Sequence, residues 1–241
     1  MRAVTWSHNG PPEEVLRLVE LPIPVPQSGE VLVRLATSGV NPADCNRRGG
    51  RGHDHDGRTI IPNSDGAGTI VAVGIGVPAS AVGKRVWLYN GQRGRDYGTA
   101  AEFIALDSDL VTTLPDGVSF EVGACLGIPA MTAHRCLFAD GPIAGQSILI
   151  TGGAGAVGNY AVQFGVWAGA RVIATVSSAE KAADALAAGA EVVINYRTED
   201  VVAAVQDLTG GIGVARIVDV DFGTNLSTSL AAIALLSLIH I

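Results

Sequence analysis

The chain has 241 residues, of which 48% are hydrophobic and 16% charged, with 31 glycines and a formal net charge of −7. That balance excludes disordered and fibrous classes, and it gives no strong basic field for nucleic acid, because phosphate binding depends on clustered Lys and Arg. The length exceeds the usual single-domain size, so two cores are expected.

The N-terminus, MRAVTWSHNGPPEE, has no continuous apolar stretch behind Arg2, so no secretory signal is expected. Cys45, Cys125 and Cys136 are odd in number and widely spaced, which suits neither a disulfide framework nor a CxxC metal set and points to a reducing, cytoplasmic setting. Short β-branched and aliphatic runs then follow one another at Glu30 to Leu35, Gly68 to Val73, Arg85 to Tyr89 and Ala101 to Leu106, separated by Gly and Pro clusters. No stretch of helical length intervenes between most of them, so the first part of the chain predicts a mainly antiparallel β domain. Between Arg47 and Arg58 lies a polar, Gly-rich loop. Its HDHD run holds His53 and His55, two metal-capable groups in a setting that more often leaves them solvated.

Around Ser119 the pattern becomes helical, and from Ser147 strands and helices alternate. Strands are predicted at Ser147 to Thr151, Arg171 to Val176, Val192 to Asn195 and Arg216 to Val220, with helices starting near Ala156, Ala179, Glu199 and Leu226. Leu226 to Ile241 has a membrane-like composition, but it falls short of the roughly twenty apolar residues a spanning helix needs and reads as a buried helix. Four strand–helix units make an open parallel sheet that lacks part of the usual six strands.

The strongest local signal is SILITGGAGAVGNYAVQFGVWAGARVIATV, where GxGxxG at Gly153, Gly155 and Gly158 follows an apolar strand and opens a helix. The glycines permit a tight turn, close approach of a pyrophosphate and close helix–strand packing, while the helix N-terminus offers free N–H groups. An acidic residue about twenty positions on would bind a ribose 2′-hydroxyl and repel a 2′-phosphate. Thr175-Val176-Ser177-Ser178 stands there instead; its hydroxyls and Lys181, four residues past Ser177, offer donors and a positive charge to a phosphate, which Glu180 partly offsets, and this favours NADPH over NADH.

Taken with that turn, GVNPADCNRRGG at Gly39 to Gly50 and IIPNSDGAGTIVAVGIGV at Ile60 to Val77 resemble the medium-chain dehydrogenase/reductase superfamily. Within it, CLGIPAMTAHRCL at Cys125 to Leu137 and VINYRTED at Val193 to Asp200 are similar to the zeta-crystallin-type quinone oxidoreductases. The resemblance implies an α/β protein with a GroES-like catalytic domain over residues 1–122 and a Rossmann NADPH-binding domain, a doubly wound parallel sheet, over residues 123–241, the active site lying in the cleft between them. Zinc-dependent members carry a ligand Cys and a ligand His where this chain has Asn41 and Ser64, and those two are poor zinc ligands, so the resemblance implies a zinc-free enzyme.

By the same resemblance, Asn41 offers an amide donor to the acceptor oxygen, against the alternative of a loop-capping Asn before Pro42. Asn46 stands where many relatives have a substrate- or cofactor-contacting Tyr. The cofactor role passes to Gly153, Ala154, Gly155, Ala156, Val157 and Gly158 in the turn, to Ser177 and Lys181, to Tyr196 for the adenine, and to Asn225 after the fourth strand, where a helix N-cap region is the alternative. Cys125, Cys136 and Met131 read as core.

The implied activity is transfer of reducing equivalents from NADPH to a quinone. An α,β-unsaturated carbonyl is the alternative acceptor, and a non-catalytic NADPH-binding or structural protein is the alternative class. Full-length relatives are expected to be homo-oligomers, with neither nucleic acid nor membrane as partner. Similarity breaks near Leu235, and the closing LLSLIHI stands where the family pattern expects a Gly-rich turn and further strands, so the cofactor domain is expected to be C-terminally incomplete, with exposed sheet edge and apolar surface.

Overall fold

The computed structural model describes residues 1–51 and 57–241; His53 and His55 lie outside the described residues. The chain divides into two compact units, Met1–Ile128 and Pro129–Ile241.

The first unit contains β1 (Arg2–Thr5), α1 (Pro12–Val15), β2 (Arg17–Glu20), β3 (Glu30–Gly39), α2 (Pro42–Arg48), β4 (Asp65–Val73), β5 (Arg85–Leu88), β6 (Phe103–Asp107), β7 (Val111–Thr113) and α3 (Phe120–Ala124). Strands β3 to β7 form one antiparallel sheet in the order β6-β3-β4-β5-β7, and β1 pairs with β2. Branched side chains face one core: Val31, Val33, Ile70, Val86, Leu88, Ile104 and Leu106. The Val and Ile among them suit a pleated surface because their stiff χ1 loses little there. The expected antiparallel β domain is therefore present. Its strands β3 and β4 extend further toward the Asn41 loop than sequence patterning suggested, ending at Gly39 and beginning at Asp65.

The second unit alternates helices and strands: α4 (Met131–Phe138), β8 (Ser147–Ile150), α5 (Ala156–Trp167), β9 (Arg171–Val176), α6 (Ala179–Ala187), β10 (Val192–Asn195), α7 (Val201–Leu208), β11 (Val214–Val218), α8 (Phe222–Ala232) and β12 (Ile233–His240). Its five strands are parallel, in the order β10-β9-β8-β11-β12. The near-continuous apolar runs of β8 and β9 follow from burial on both faces. On one face Ile148, Ile150, Val172 and Ala174 pack with Leu137, Val162 and Ala185; on the other Leu149, Ile173 and Ile217 pack with Val205 and Ala232. The order reverses between β8 and β11, and in open sheets that switch point marks the ligand crevice.

Two expectations for the end of the chain are corrected. Leu226 to Ile241 is not one helix: α8 stops at Ala232 and Ile233–His240 continues as β12. The sheet accordingly has five strands rather than four, with Leu238, Ile239 and His240 beside Arg216, Ile217 and Val218. All of LLSLIHI except Ile241 thus lies in β12. Leu236 takes a positive φ of 59° within a register shift, and it and Leu235 remain exposed. The His240 ring lies 2.9 Å from the Asp140 carboxylate, and the buried Arg216 guanidinium donates to the carbonyls of Leu137 and Asp140, closing the C-terminal end of α4. Among the described residues no helix is long and apolar enough to cross a membrane.

Candidate active site

The glycine turn joins β8 to α5. Gly152 has φ +65°, which lets the chain reverse at once, and a Cβ on Gly158 would lie 2.1 Å from the Gly152 carbonyl oxygen, so only glycine permits this approach of helix to turn. Gly153 packs inward, where an added Cβ would come within 2.7 Å of the Ala174 methyl. The turn is pinned to β9 through Gly153 N–H to the Thr175 carbonyl at 2.9 Å and Gly152 N–H to Thr175 Oγ1 at 3.2 Å. The N-cap of α5 is Gly155, whose lack of a side chain leaves the first helical N–H groups, those of Ala156, Val157 and Gly158, without a side-chain cap. Uncapped donors and the positive end of the helix dipole make an anion cradle.

At the end of β9, Lys181 Nζ donates to Ser177 Oγ at 3.1 Å, and Ser178 caps α6 by accepting the Lys181 backbone N–H. The sequence pairing of Ser177 with Lys181 is thus a spatial one, i to i+4 across the start of a helix. A cavity of about 540 Å³ opens at the same strand ends, lined among others by Thr151, Gly152, Thr175, Tyr196, Asp221 and Asn225. Its size falls in the range of small-molecule sites. Tyr196 is half exposed there. Ser177 and Lys181 do not line this cavity, and Ala154 lines a different, open concavity with Asn159 and Gln163.

Asn225 sits in the first turn of α8 without being its cap, which is Asp221. Its Nδ2 donates at 3.0 Å to Asp219 Oδ1, which also accepts from Thr151 Oγ1 at 3.1 Å and the Asp221 N–H at 2.9 Å, while Asp219 Oδ2 accepts from Ser229 Oγ at 2.9 Å. Asp219 therefore ties the end of β8 to α8 beneath the cavity. Its sequence signal is VDVD at the end of an apolar strand, because an acidic residue at a buried strand terminus needs partners.

In the first unit Asn41 is the N-cap of α2 and is buried. Its backbone N–H donates to Asp44 Oδ2 at 2.7 Å, and its Nδ2 donates to Asp65 Oδ2 at 2.8 Å. Asp65 is fully buried and takes a second bond on the same oxygen, from the Ile128 N–H at 2.7 Å. Burial pushes the Asp65 carboxyl up from the ordinary carboxylate range, and the bonds from Ile128 and Asn41 pull it partly back. Burial also raises Asp44, with its Asn41 bond opposing and the Asp65 charge adding to the rise. Ser64, by contrast, is used through its backbone, its carbonyl accepting the Gly91 N–H at 2.8 Å. Asn46 is exposed on α2, its carbonyl accepting the Arg51 N–H at 2.9 Å. Of the three residues expected in the core, Cys125 and Met131 are exposed and only Cys136 is buried, where burial pushes its thiol up; Cys45 is also exposed.

Residues 27–116 match the alcohol dehydrogenase GroES-like domain and residues 156–235 the zinc-binding dehydrogenase family. The quinone oxidoreductase of Rattus norvegicus is 35% identical over 232 residues, covering 95% of this chain and 69% of that protein, and the Homo sapiens enzyme is 32% identical over 235 residues, covering 97% and 70%. The chain belongs to the quinone oxidoreductases of the medium-chain dehydrogenase/reductase superfamily. A quinone oxidoreductase of Escherichia coli, solved in complex with NADPH, superposes with a TM-score of 0.87 at 29% identity, over 99% of this chain and 72% of that one. A mycobacterial protein, also solved with NADPH, superposes at 0.88 with 34% identity, over 100% and 73%. A 2-methylene-furan-3-one reductase of Solanum lycopersicum is 30% identical over 206 residues, 83% of this chain and 53% of that protein. Among the described residues no three His, Cys, Asp or Glu side chains are grouped to hold a metal ion.

Proposed function

We propose that this chain uses NADPH to reduce a quinone without a zinc ion, in a reducing cytoplasm. The observation that carries the reading is the uncapped N-terminus of α5 on its glycine turn, at the strand ends that also present the Ser177–Lys181 pair. The two relatives solved with NADPH support the cofactor. The residues present fit it: Gly152, Gly155 and Gly158 keep the cradle free of side chains, and no carboxylate occupies the end of β9.

When bound, NADPH supplies the reducing equivalents. The N–H groups of Ala156, Val157 and Gly158 bind the pyrophosphate, with Gly153, Ala154 and Gly155 shaping the turn. Ser177 and Lys181 take the 2′-phosphate by charge-assisted hydrogen bonds, and Tyr196 offers its ring to the adenine. Asn225, its amide nitrogen committed to Asp219, presents its carbonyl oxygen to a cofactor donor. Asn41 donates its remaining amide N–H to the oxygen of the acceptor, and Asn46 borders the substrate. With no metal to polarise that oxygen, orientation supplies the rate. The zinc-free reading is supported by donor chemistry, since Asn41 and Ser64 stand where thiolate and imidazole would be needed. The acidic net charge supports a small-molecule partner rather than nucleic acid, and homo-oligomers are the assembly proposed for the full-length relatives.

Mixing the chain with NADPH and a panel of small quinones is expected to bleach the nicotinamide absorbance band, unchanged by a zinc chelator. No turnover with any quinone would remove the substrate assignment, and loss of turnover on chelation would remove the zinc-free one. The Solanum relative favours a second acceptor class, α,β-unsaturated carbonyls, and enones in the same panel rank the two.

A further inference from the structure

Asn41 carries an amide with two unlike ends, a nitrogen that donates twice and an oxygen that only accepts. Which end faces Asp65 decides what the other end can do. Asp65 heads β4, is fully buried, and places Oδ2 2.8 Å from Asn41 Nδ2 and 2.7 Å from the Ile128 nitrogen. Its Oδ1 has no hydrogen-bond partner among the described residues. That oxygen sits where Gly127 leaves room: a Cβ there would lie 2.1 Å from it. An ionised carboxylate accepts and cannot donate, so turning the Asn41 amide over would set oxygen against oxygen at hydrogen-bond distance. Only one orientation survives, and it leaves one N–H of Asn41 uncommitted.

We propose that Asp65 is a positioning residue that locks the Asn41 amide in a single orientation, so that every molecule presents an N–H, rather than a carbonyl, to the acceptor oxygen. This rests on the reading of Asn41 as the donor to that oxygen. Asp65 touches no reacting atom in this scheme; it acts through Asn41. The bare Oδ1 gives the arrangement a further property. A proton, or the amide nitrogen of an Asp65→Asn variant, can occupy that side while the other oxygen still accepts from Asn41 and Ile128. The orientation therefore depends on an acceptor at Oδ2 and not on the charge.

Two measurements test this, the first on the cofactor-free protein. In ¹⁵N–¹H spectra, the Asn41 side-chain amide, assigned by its loss in Asn41→Ala, is expected to show one proton shifted downfield by the Asp65 bond. The shift should persist in Asp65→Asn and vanish in Asp65→Val. An Asn41 signal unchanged in Asp65→Val overturns the proposal. In steady-state kinetics, Asp65→Val is expected to lower kcat about tenfold while KM for quinone and Kd for NADPH stay within about twofold, and Asp65→Asn is expected to recover most of the loss. Equal losses in kcat and in NADPH binding would mark Asp65 as a mere clamp and sink the proposal. Where Asp65→Val fails to fold, Asp65→Ser, too short to reach Asn41, takes its place. If Asn41→Ala keeps full kcat, the donor reading of Asn41 falls instead, while the spectra still decide the orientation.

Discussion

Asp65 and Asp219 are both buried, at 0% and 2% exposure, one at the head of β4 and the other just past β11, yet their surroundings differ. Asp219 has both oxygens filled, by Thr151, Asn225, Ser229 and the Asp221 N–H. Among the described residues, Asp65 gathers its two side-chain bonds on one oxygen and leaves the other bare. A saturated buried carboxylate is a fixed joint, because removing it strands several donors at once, whereas a half-filled one is costly to ionise and sensitive to what lies beside its free oxygen. The cofactor unit is thus braced where a ligand must be received, and the β unit keeps a less satisfied group next to Asn41.

Four measurements would sharpen or break that contrast. The largest effect is expected from Asp219→Leu, which leaves the Thr151, Asn225 and Ser229 donors without their acceptor and should cost about 3 kcal/mol or more in urea unfolding; a loss under about 1 kcal/mol would show that Asp219 is no joint. Gly127→Ala comes next. Its methyl meets Asp65 Oδ1, and the expected loss is about 1–3 kcal/mol, read in the same way, with wild-type stability showing that the space beside Asp65 is not tight.

Asp65→Asn should give a smaller change whose pH dependence carries the information. Because burial raises the Asp65 pKa, the stability it contributes is complete below the ordinary aspartate value and is lost as pH rises through the raised one. Relative to wild type, the variant should therefore gain stability between acid and neutral pH. A difference that does not change with pH would mean that Asp65 titrates normally. Lys181→Ala, at an exposed position, should change stability by less than about 0.5 kcal/mol while weakening NADPH about tenfold more than NADH. Equal weakening of the two cofactors would end the 2′-phosphate role.

Much of this was legible in the sequence because it is local. The glycine turn, the β-branched runs and the Ser177–Lys181 spacing are written within a few residues of one another, and β9, β10 and the starts of α5 and α6 fall where patterning places them. β12 was hidden for a physical reason. A short apolar run such as IALLSLIH has no clear period and no Gly or Pro just ahead of it, so a helix and a strand look alike until β11 supplies a parallel partner. Asp65 was hidden by distance along the chain, whereas Asp219 was marked by its VDVD run and has three of its four partners within ten positions. Asp65 meets Ile128 across 63 positions and Asp219 meets Thr151 across 68, so the local sequence names neither of these two partners. Asn41 stood out as a residue type in a motif, but that its amide is already half spent on Asp65 could be seen only in three dimensions.

The unequal burial of the three cysteines has a practical outcome. Cys45 and Cys125 face solvent, while Cys136 lies in the core of the second unit with its thiol pushed toward the unreactive form. An excess of a thiol-specific dye should then label two sites promptly and the third only as fast as α4 lifts from the sheet. The native chain thus carries an internal clock for the opening of its cofactor unit, and ligands that hold that unit shut can be ranked by how far they slow the third labelling event.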